Sequence, residues 1–253
     1  MAFARVPARA GAAARGSCPY CGRELGTREL RIGNRSVLVP AGPCGCDGER
    51  AAAEEEARRT EEERRRAAEA RLLRAGIGRR FLGAEVEDAR AARFASSLGR
   101  AAGGGLYIHG RTGSGKTHLA SAVARAGVEA GLRVRMTTAV EMFSAIQETY
   151  GGGGSTEAAV RRFAACDLLV LDDLGKESAS QWSAMTLYRV VNARYEAMLP
   201  TVFTSQYAPR ALLARLSRSG EAETAEAIVS RIRETCVTVA LTGPDRRAAV
   251  GFP

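Results

Sequence analysis

The chain has 253 residues and a formal net charge of +9, with 37 basic residues against 28 acidic ones. Its hydrophobic content of 45% suffices for a folded core, and this length suits one large domain with or without a small module. No apolar run approaches the roughly 20 residues of a membrane-spanning helix, so we expect a cytoplasmic protein with no membrane partner. The positive charge favours an anionic partner such as nucleic acid.

The first 48 residues combine an arginine-rich start with cysteines. Residues 1–17 contain no acidic side chain, and we expect them to form a disordered basic arm. Residues 18–48 follow with two close cysteine pairs, Cys18-Pro-Tyr-Cys21 and Cys44-Gly-Cys46. Four thiolates supplied by two tight turns suit tetrahedral Zn²⁺, so the segment is predicted to be a module held by structural zinc. A disulfide pair and a redox C-x-x-C motif are the alternatives.

Residues 49–75 hold eight arginines and eight glutamates, and therefore have no net charge. Several Glu–Arg pairs stand four residues apart with Glu first, the orientation that supports a solvated helix. Few apolar residues interrupt the pattern. It predicts a charged helical linker rather than a helix of the core.

Residues 76–253 alternate between short apolar runs and helical patterns. This alternation predicts an α/β domain, a P-loop-type parallel five-stranded sheet with helices on both faces. The predicted strands are Gly105–His109, Arg133–Thr137, Asp167–Asp173, Thr201–Thr204 and Cys236–Leu241.

A glycine-rich segment joins the first of these strands to a helix. Its sequence, Gly110-Arg111-Thr112-Gly113-Ser114-Gly115-Lys116-Thr117, fits the pattern G-x-x-x-x-G-K-[ST]. Only two lysines occur in the chain against 35 arginines, and Lys116 is one of them. A slender ammonium reaches between phosphates inside such a loop, where a planar guanidinium fits poorly. We therefore predict a phosphate-binding loop that points its N–H groups at a bound phosphate chain.

Two acids end the apolar strand Asp167–Asp173. In a parallel sheet this places Asp172 at the edge where ligands bind, beside the hydroxyl of Thr117. We expect Thr117 and Asp172 to hold Mg²⁺, and Asp173 to orient or deprotonate an attacking water.

Two further candidates have weaker support from the residues themselves. Thr204-Ser205-Gln206 follows the next strand, and its polar side chains point either to a phosphate contact or to an ordinary turn. Arg231, on a late helix, is a candidate to neutralise phosphoryl charge in a neighbouring subunit's site. A solvated helix face is the alternative for this arginine.

Together these motifs resemble the DnaC/DnaI/IstB group of AAA+ ATPases, in particular phage- or prophage-type helicase loaders with an N-terminal zinc knuckle. The resemblance rests on the two cysteine pairs, on Gly76-Ile-Gly-Arg-Arg-Phe81, on the phosphate loop and on Asp172-Asp-Leu-Gly175. It continues through Leu199–Ser205 and Ile228–Ile232.

The resemblance implies an AAA+ fold that binds ATP with Mg²⁺ between subunits of a ring or spiral. The zinc module would contact a replicative DNA helicase, and the ATPase domain would contact single-stranded DNA. Gly110 to Thr117 correspond to Walker A with His118 beside them, Asp172 and Asp173 to Walker B, Gln206 to sensor 1, and Arg231 to the arginine finger.

Two positions depart from the pattern of the resembled family. Gln206 stands where relatives carry Asn, and Asp173 where many AAA+ hydrolases use Glu. Because both change the reach toward the attacking water, we expect slow ATP turnover that a partner stimulates. The alternatives are an IstB-type transposition helper ATPase and a nucleotide-gated DNA-binding adaptor with little hydrolysis.

Overall fold

The computed structural model describes residues 16–33, 35–40, 42–100, 103–152 and 154–245. The predicted basic arm lies outside these ranges except for its last two residues. The chain divides into two compact units, the first ending at Ala67 and the second beginning at Ala68. Among the described residues, no helix combines the length and the apolar character that crossing a membrane requires.

The first unit contains one β-hairpin. Strand β1 (Thr27–Ile32) pairs antiparallel with strand β2 (Arg35–Pro40), and Leu30 lies opposite Val37. All six residues of β1 are exposed, and so are Val37 and Leu38 of β2. A hairpin with so little buried apolar surface gains little stability from packing. The unit therefore depends on its cysteines.

Helix α1 (Asp47–Arg74) follows the hairpin and begins two residues before the predicted linker. All of its 28 residues are described, and none is buried. Glu55 pairs with Arg59 at 3.0 Å, and Glu62 pairs with Arg66 at 3.7 Å, each with the acid four residues ahead. Such pairs stabilise an isolated helix by a few tenths of a kcal/mol each. The helix is solvated over most of its length, and only its last turn, through Leu72, packs against the core of the second unit.

The second unit is built on a parallel sheet of five strands. The strand order is β4-β5-β6-β3-β7, and every neighbouring pair is parallel. The strands are β3 (Gly105–Gly110), β4 (Val134–Thr138), β5 (Leu168–Leu174), β6 (Thr201–Ser205) and β7 (Cys236–Leu241). This confirms the predicted fold class. It also brings the carboxyl ends of β3, β5 and β6 together at one edge.

Helices cover both faces of this sheet. They are α2 (Ala89–Ser97), α3 (Lys116–Glu129), α4 (Ala139–Gln147), α5 (Thr156–Ala164), α6 (Gln181–Glu196), α7 (Pro209–Leu216) and α8 (Ala222–Thr235). Along β5, Leu168 and Val170 pack in the core layer that contains α2 and α3. Leu169 and Leu171 pack in the layer of α4 to α8. Because both faces of β5 are covered, its apolar run is continuous until Asp172.

One cation lies inside the second layer. Arg194 on α6 is only 2% exposed, and burial lowers the pKa of its guanidinium. Its nitrogens donate to the carbonyl oxygens of Phe163, Ala164, Cys166 and Pro200 and to the hydroxyl of Thr201, at distances from 2.7 to 3.2 Å. The guanidinium thus satisfies carbonyls at the C-terminus of α5, which have no partner within that helix.

Candidate nucleotide site and metal centre

The phosphate loop connects β3 to α3 as the sequence predicts. Gly115 adopts a left-handed conformation with φ of 94° immediately before the first residue of α3, Lys116. At Gly110, a Cβ atom would clash with the carbonyl oxygen of Leu241 on the adjacent strand. Glycine is therefore required at both ends of the loop. The N–H groups of the first turn of α3 and the positive end of its dipole face the loop and favour an anion.

Lys116 is 6% exposed and folds back over its own loop. Its Nζ atom donates to the carbonyl oxygens of Gly110 at 3.0 Å and of Arg111 at 2.9 Å. These contacts fix the ammonium beside the N-terminus of α3. A phosphate chain lying in the loop would meet this fixed positive charge.

Thr117 and Asp172 touch directly at the edge of the sheet. The Thr117 hydroxyl donates to the carboxylate of Asp172 at 3.0 Å to one oxygen and 3.3 Å to the other. Burial raises the pKa of Asp172, and the charge of the neighbouring Asp173 raises it further. A divalent cation would stabilise the ionised form of Asp172, because it compensates the buried negative charge. The oxygen ligands present here fit Mg²⁺.

The last two residues of β6, Thr204 and Ser205, and the following Gln206 make different contacts. Thr204 donates a short hydrogen bond to the carboxylate of Asp172 and accepts one at 2.9 Å from the backbone N–H of Asp173. Ser205 donates to the carbonyl oxygen of Leu174 at 2.6 Å. Gln206 lines the cavity beside the phosphate loop. Thr204 therefore holds both acids in place and Ser205 fixes Leu174 next to them, while Gln206 is the one of the three that lines the cavity.

A cavity of about 190 Å³ lies in front of the loop. Its lining residues are Arg80, Phe81, Thr112, Gly113, Gly115, Lys116, Thr117, His118, Asp173, Lys176 and Gln206. Eight of these eleven are predicted site residues, and the sheet brings them together from three separate parts of the chain. Gly110, Arg111 and Ser114 form the rest of the loop.

Sequence reasoning did not identify Arg80, Phe81 and Lys176 as site residues. Arg80 and Phe81 belong to the segment Gly76–Phe81, which carried the family resemblance without an assigned role. Lys176 carried a stronger signal, because it is the second of the chain's two lysines. As with Lys116, a lysine in a chain that otherwise uses arginine indicates a position where a compact ammonium is needed.

The turn after β5 is held by buried polar contacts. Asp173 has a positive φ of 57°, which is uncommon for a residue with a side chain. Glu177 is 6% exposed, and its carboxylate accepts from the backbone N–H of Gly175 at 2.8 Å. Burial raises the pKa of Glu177. Arg215 donates to the carbonyl oxygens of Gly175 and Glu177 at 2.9 and 3.0 Å, which fixes the turn that follows Asp173 at the end of β5.

Arg231 lies away from this cavity. Its guanidinium stacks between the rings of Tyr188 and Tyr195, at 5.1 and 5.3 Å from their centroids. It lines a cavity of about 520 Å³ near the amino ends of β3 and β6, at the opposite edge of the sheet. An arginine that acts in a neighbouring subunit's site need not line its own chain's cavity, so its role stays a prediction. Arg233, two residues later, is exposed.

The four cysteines of the first unit form a cluster. Their sulfur atoms all lie within 4.8 Å of one another, with Cys18 to Cys46 at 3.7 Å and Cys21 to Cys44 at 3.4 Å. All four are free thiols, so the disulfide alternative is not what the structure contains. Four sulfurs held about 2.3 Å from a tetrahedral zinc ion lie about 3.8 Å apart. The cluster therefore has the dimensions of a Cys₄ zinc site.

The thiols of this cluster differ in acidity. Backbone N–H groups, that of Tyr20 foremost, lower the pKa of Cys18 to about 7. Hydrogen bonding to the Cys21 sulfur raises the pKa of Cys44 to about 12. Cys44 therefore holds its proton at neutral pH unless a cation replaces it. A metal ion would bind by displacing such protons, which makes the affinity pH-dependent.

Comparison with known proteins gives a family match over most of the second unit. The family of IstB-like ATP binding proteins matches residues 96–249. The replicative helicase loader DnaC of Escherichia coli (strain K12) is 30% identical over 97 residues, 38% of this chain and 40% of DnaC. A putative insertion sequence ATP-binding protein of Sinorhizobium fredii is 33% identical over 96 residues, 38% of this chain and 32% of that protein. The matched segments thus span less than half of these relatives.

Among solved structures, the crystal structure of DnaI superimposes with a TM-score of 0.54 at 26% sequence identity. The superposition covers 62% of this chain and 88% of the DnaI chain. A superposition of this extent shows that the two chains share a fold.

Proposed function

Because the chain belongs to the family of IstB-like ATP-binding proteins, we propose that it is an ATPase that loads a replicative DNA helicase onto single-stranded DNA. The observation that carries the proposal is the hydrogen bond between Thr117 and Asp172 at 3.0 Å. It joins the phosphate loop to the acidic end of β5 at the cavity that Lys116 lines. A phosphate chain and its divalent ion would both find their partners there.

The residues of the candidate site would each make a different contact with the nucleotide. The N–H groups of the loop and the Lys116 ammonium would contact the phosphates of ATP. Thr117 and Asp172 would hold Mg²⁺, which when bound neutralises phosphate charge. His118 and Gln206 line the same cavity and would contact the nucleotide from two sides.

In hydrolysis, a bond forms between a water oxygen and the terminal phosphorus while the bond from that phosphorus to the bridging oxygen breaks. Asp173 would orient this water, and Gln206 would contact the terminal phosphate. We expect slow turnover, since an aspartate reaches the water less well than a glutamate. Arg231 of a neighbouring copy would neutralise the transferring group if the ATPase domains associate in a ring or spiral.

Two partners follow from this proposal. We assign the replicative helicase to the cysteine module, whose exposed hairpin needs zinc for its own fold, and single-stranded DNA to the basic ATPase domain. Relatives named replicative helicase loaders support a replicative helicase as the partner. The chain's excess of nine positive charges supports an anionic ligand.

The direct test is a pull-down of the replicative helicase from the same genome by the tagged chain, with and without ATP. We expect the helicase to bind, and its transfer to single-stranded DNA to require ATP. Failure to bind under either condition would remove the loader function. The variant Asp173→Asn should bind ATP and the helicase but turn over ATP at least tenfold more slowly.

The same variant separates a loader from a nucleotide-gated adaptor. If Asp173→Asn loaded the helicase as well as the wild type, hydrolysis would have no part in function. An IstB-type transposition helper is the second candidate, because the matched family is described as IstB-like and a putative insertion sequence ATP-binding protein is among the relatives. It predicts binding to a transposase in place of the helicase in the same pull-down.

A further inference from the structure

The two lysines of this chain line one cavity. Lys116 and Lys176 are separated by 60 positions and both line this cavity. The chain has 37 lysines and arginines in total, and the other 35 are all arginines. A compact ammonium with three rotatable donors suits a crowded phosphate site better than a guanidinium fork. The use of lysine at both positions therefore points to the same requirement at both. The proposed function assigns Lys116 to the phosphates and leaves Lys176 without a role.

Lys176 contacts the residue that we expect to orient water. Its Nζ atom lies 2.8 Å from the Oδ2 atom of Asp173, and its backbone N–H donates to the Asp173 carbonyl oxygen at 3.3 Å. Gly175 between them has a φ of 92°, which lets the chain turn back on itself. The turn is further fixed by Arg215. Both side chains consequently line the nucleotide cavity.

The two neighbouring acids have different partners. Asp172 accepts hydrogen bonds from Thr117 and Thr204, whereas the carboxylate of Asp173 is paired with Lys176. A bound nucleoside triphosphate would bring several negative charges into the same small cavity. The side chain of Lys176 is 44% exposed and flexible, so it is able to exchange one anion for another at little cost. The phosphate is the stronger attraction because it carries more charge.

We propose that Lys176 senses the terminal phosphate of ATP. Without ATP, its ammonium pairs with the carboxylate of Asp173. When ATP binds, the ammonium moves to the terminal phosphate, and Asp173 is released to orient the attacking water. This inference rests on the proposed function, because it needs ATP in this cavity. Lys176 is then a positioning residue for Asp173 and a contact that distinguishes ATP from ADP. An ordinary surface ion pair would contribute little to either.

The test is the affinity for ATP and for ADP, with Mg²⁺, measured by calorimetry on the full chain and on Lys176→Met. Loss of a charged contact to the terminal phosphate should weaken ATP binding about tenfold or more. ADP, which lacks that phosphate, should lose less than about twofold. The control is Arg189→Met, which breaks another ion pair, to Glu157 at 2.7 Å with Arg189 47% exposed, outside the cavity. It should change neither affinity.

Three results have distinct meanings. Selective loss of ATP affinity in Lys176→Met supports the inference. Equal changes for ATP and ADP, or none, overturn it and leave the proposed function intact. If the wild type binds neither nucleotide, the proposed function fails and this inference fails with it. A circular dichroism spectrum and melting temperature matching the wild type show that Lys176→Met is folded.

Discussion

The two units of the chain obtain their stability in different ways. In the first unit, which contains the cysteine module, Cys18 is the one buried apolar side chain among the described residues up to Ala67. The hairpin residues Ile32 and Leu38 are 64% and 71% exposed. In the ATPase domain, two apolar layers enclose a sheet on both faces. A small unit without a core needs a staple, and a large one does not. Substitutions that act on metal binding should therefore destabilise the first unit alone, and substitutions that act on core packing should destabilise the second unit alone.

Disrupting the cysteine cluster should have the largest effect, and only on the first unit. Cys44→Ser should lose bound zinc and hydrogen-exchange protection in β1 and β2, because apparent zinc-binding energies of about 10–16 kcal/mol are folding energy in such modules. Metal analysis and exchange mass spectrometry measure both. ATP affinity should stay within about twofold of the wild type.

The matched control is Leu38→Ser, which changes an exposed hairpin residue and should retain zinc. A zinc-free Cys44→Ser protein with fully protected hairpin amides would show that the module has another source of stability.

Breaking a buried contact should have the next largest effect, and only on the ATPase domain. Arg194→Met leaves carbonyls at the C-terminus of α5 without donors, which should cost about 2–4 kcal/mol of the free energy of unfolding. Urea denaturation of this domain gives the value. Arg189→Met, an exposed position on the same helix, should change it by less than about 0.5 kcal/mol. Equal effects at both positions would mean that Arg194 is not a structural cation.

A surface ion pair should have the smallest effect and a characteristic pH dependence. Hydrogen bonds from Arg133 hold the pKa of Asp167 below its ordinary value of 3.8. Since the folded-state pKa is the lower one, the pair stabilises the domain above about pH 4 and loses this contribution as the pH falls. The pair is solvent-accessible, so we expect under about 1 kcal/mol.

The measurement is urea unfolding of the wild type and Asp167→Asn between pH 6 and pH 3. The variant should be less stable at pH 6, and the two proteins should converge toward pH 3. A difference that does not change with pH would assign the effect to packing rather than to charge.

The sequence predicts best where function needs adjacent residues. The phosphate loop is contiguous in the sequence. The contact between Thr117 and Asp172 was predictable from the rule that parallel strands end at one edge of the sheet, where ligands bind. Helix α2 was not predicted, because it is only nine residues long and a single large apolar residue, Phe94, marks its core-facing side beside the buried Ala91. Its start is set by Asp88, whose carboxylate accepts from the N–H groups of Arg90 and Ala91.

Residues whose role depends on tertiary packing were not predicted, because no local sequence pattern marks them. Arg80 and Phe81 reach the cavity only because a short 3₁₀ turn, Arg79–Phe81, places them there. Arg194 looks like any surface arginine in a chain with 35 of them. A pattern in the sequence shows which residue types are present, but not which of them lie inside the fold.

The central claim is that Lys116 and the acidic end of β5 together bind a nucleoside triphosphate with its divalent ion. Calorimetry of ATP with Mg²⁺ against the wild type and Lys116→Arg tests it most directly. We predict saturable binding by the wild type and at least a tenfold weaker affinity in the variant, although its charge is kept, because the guanidinium does not fit the loop. No binding by the wild type, or equal affinity in the two proteins, would contradict the account.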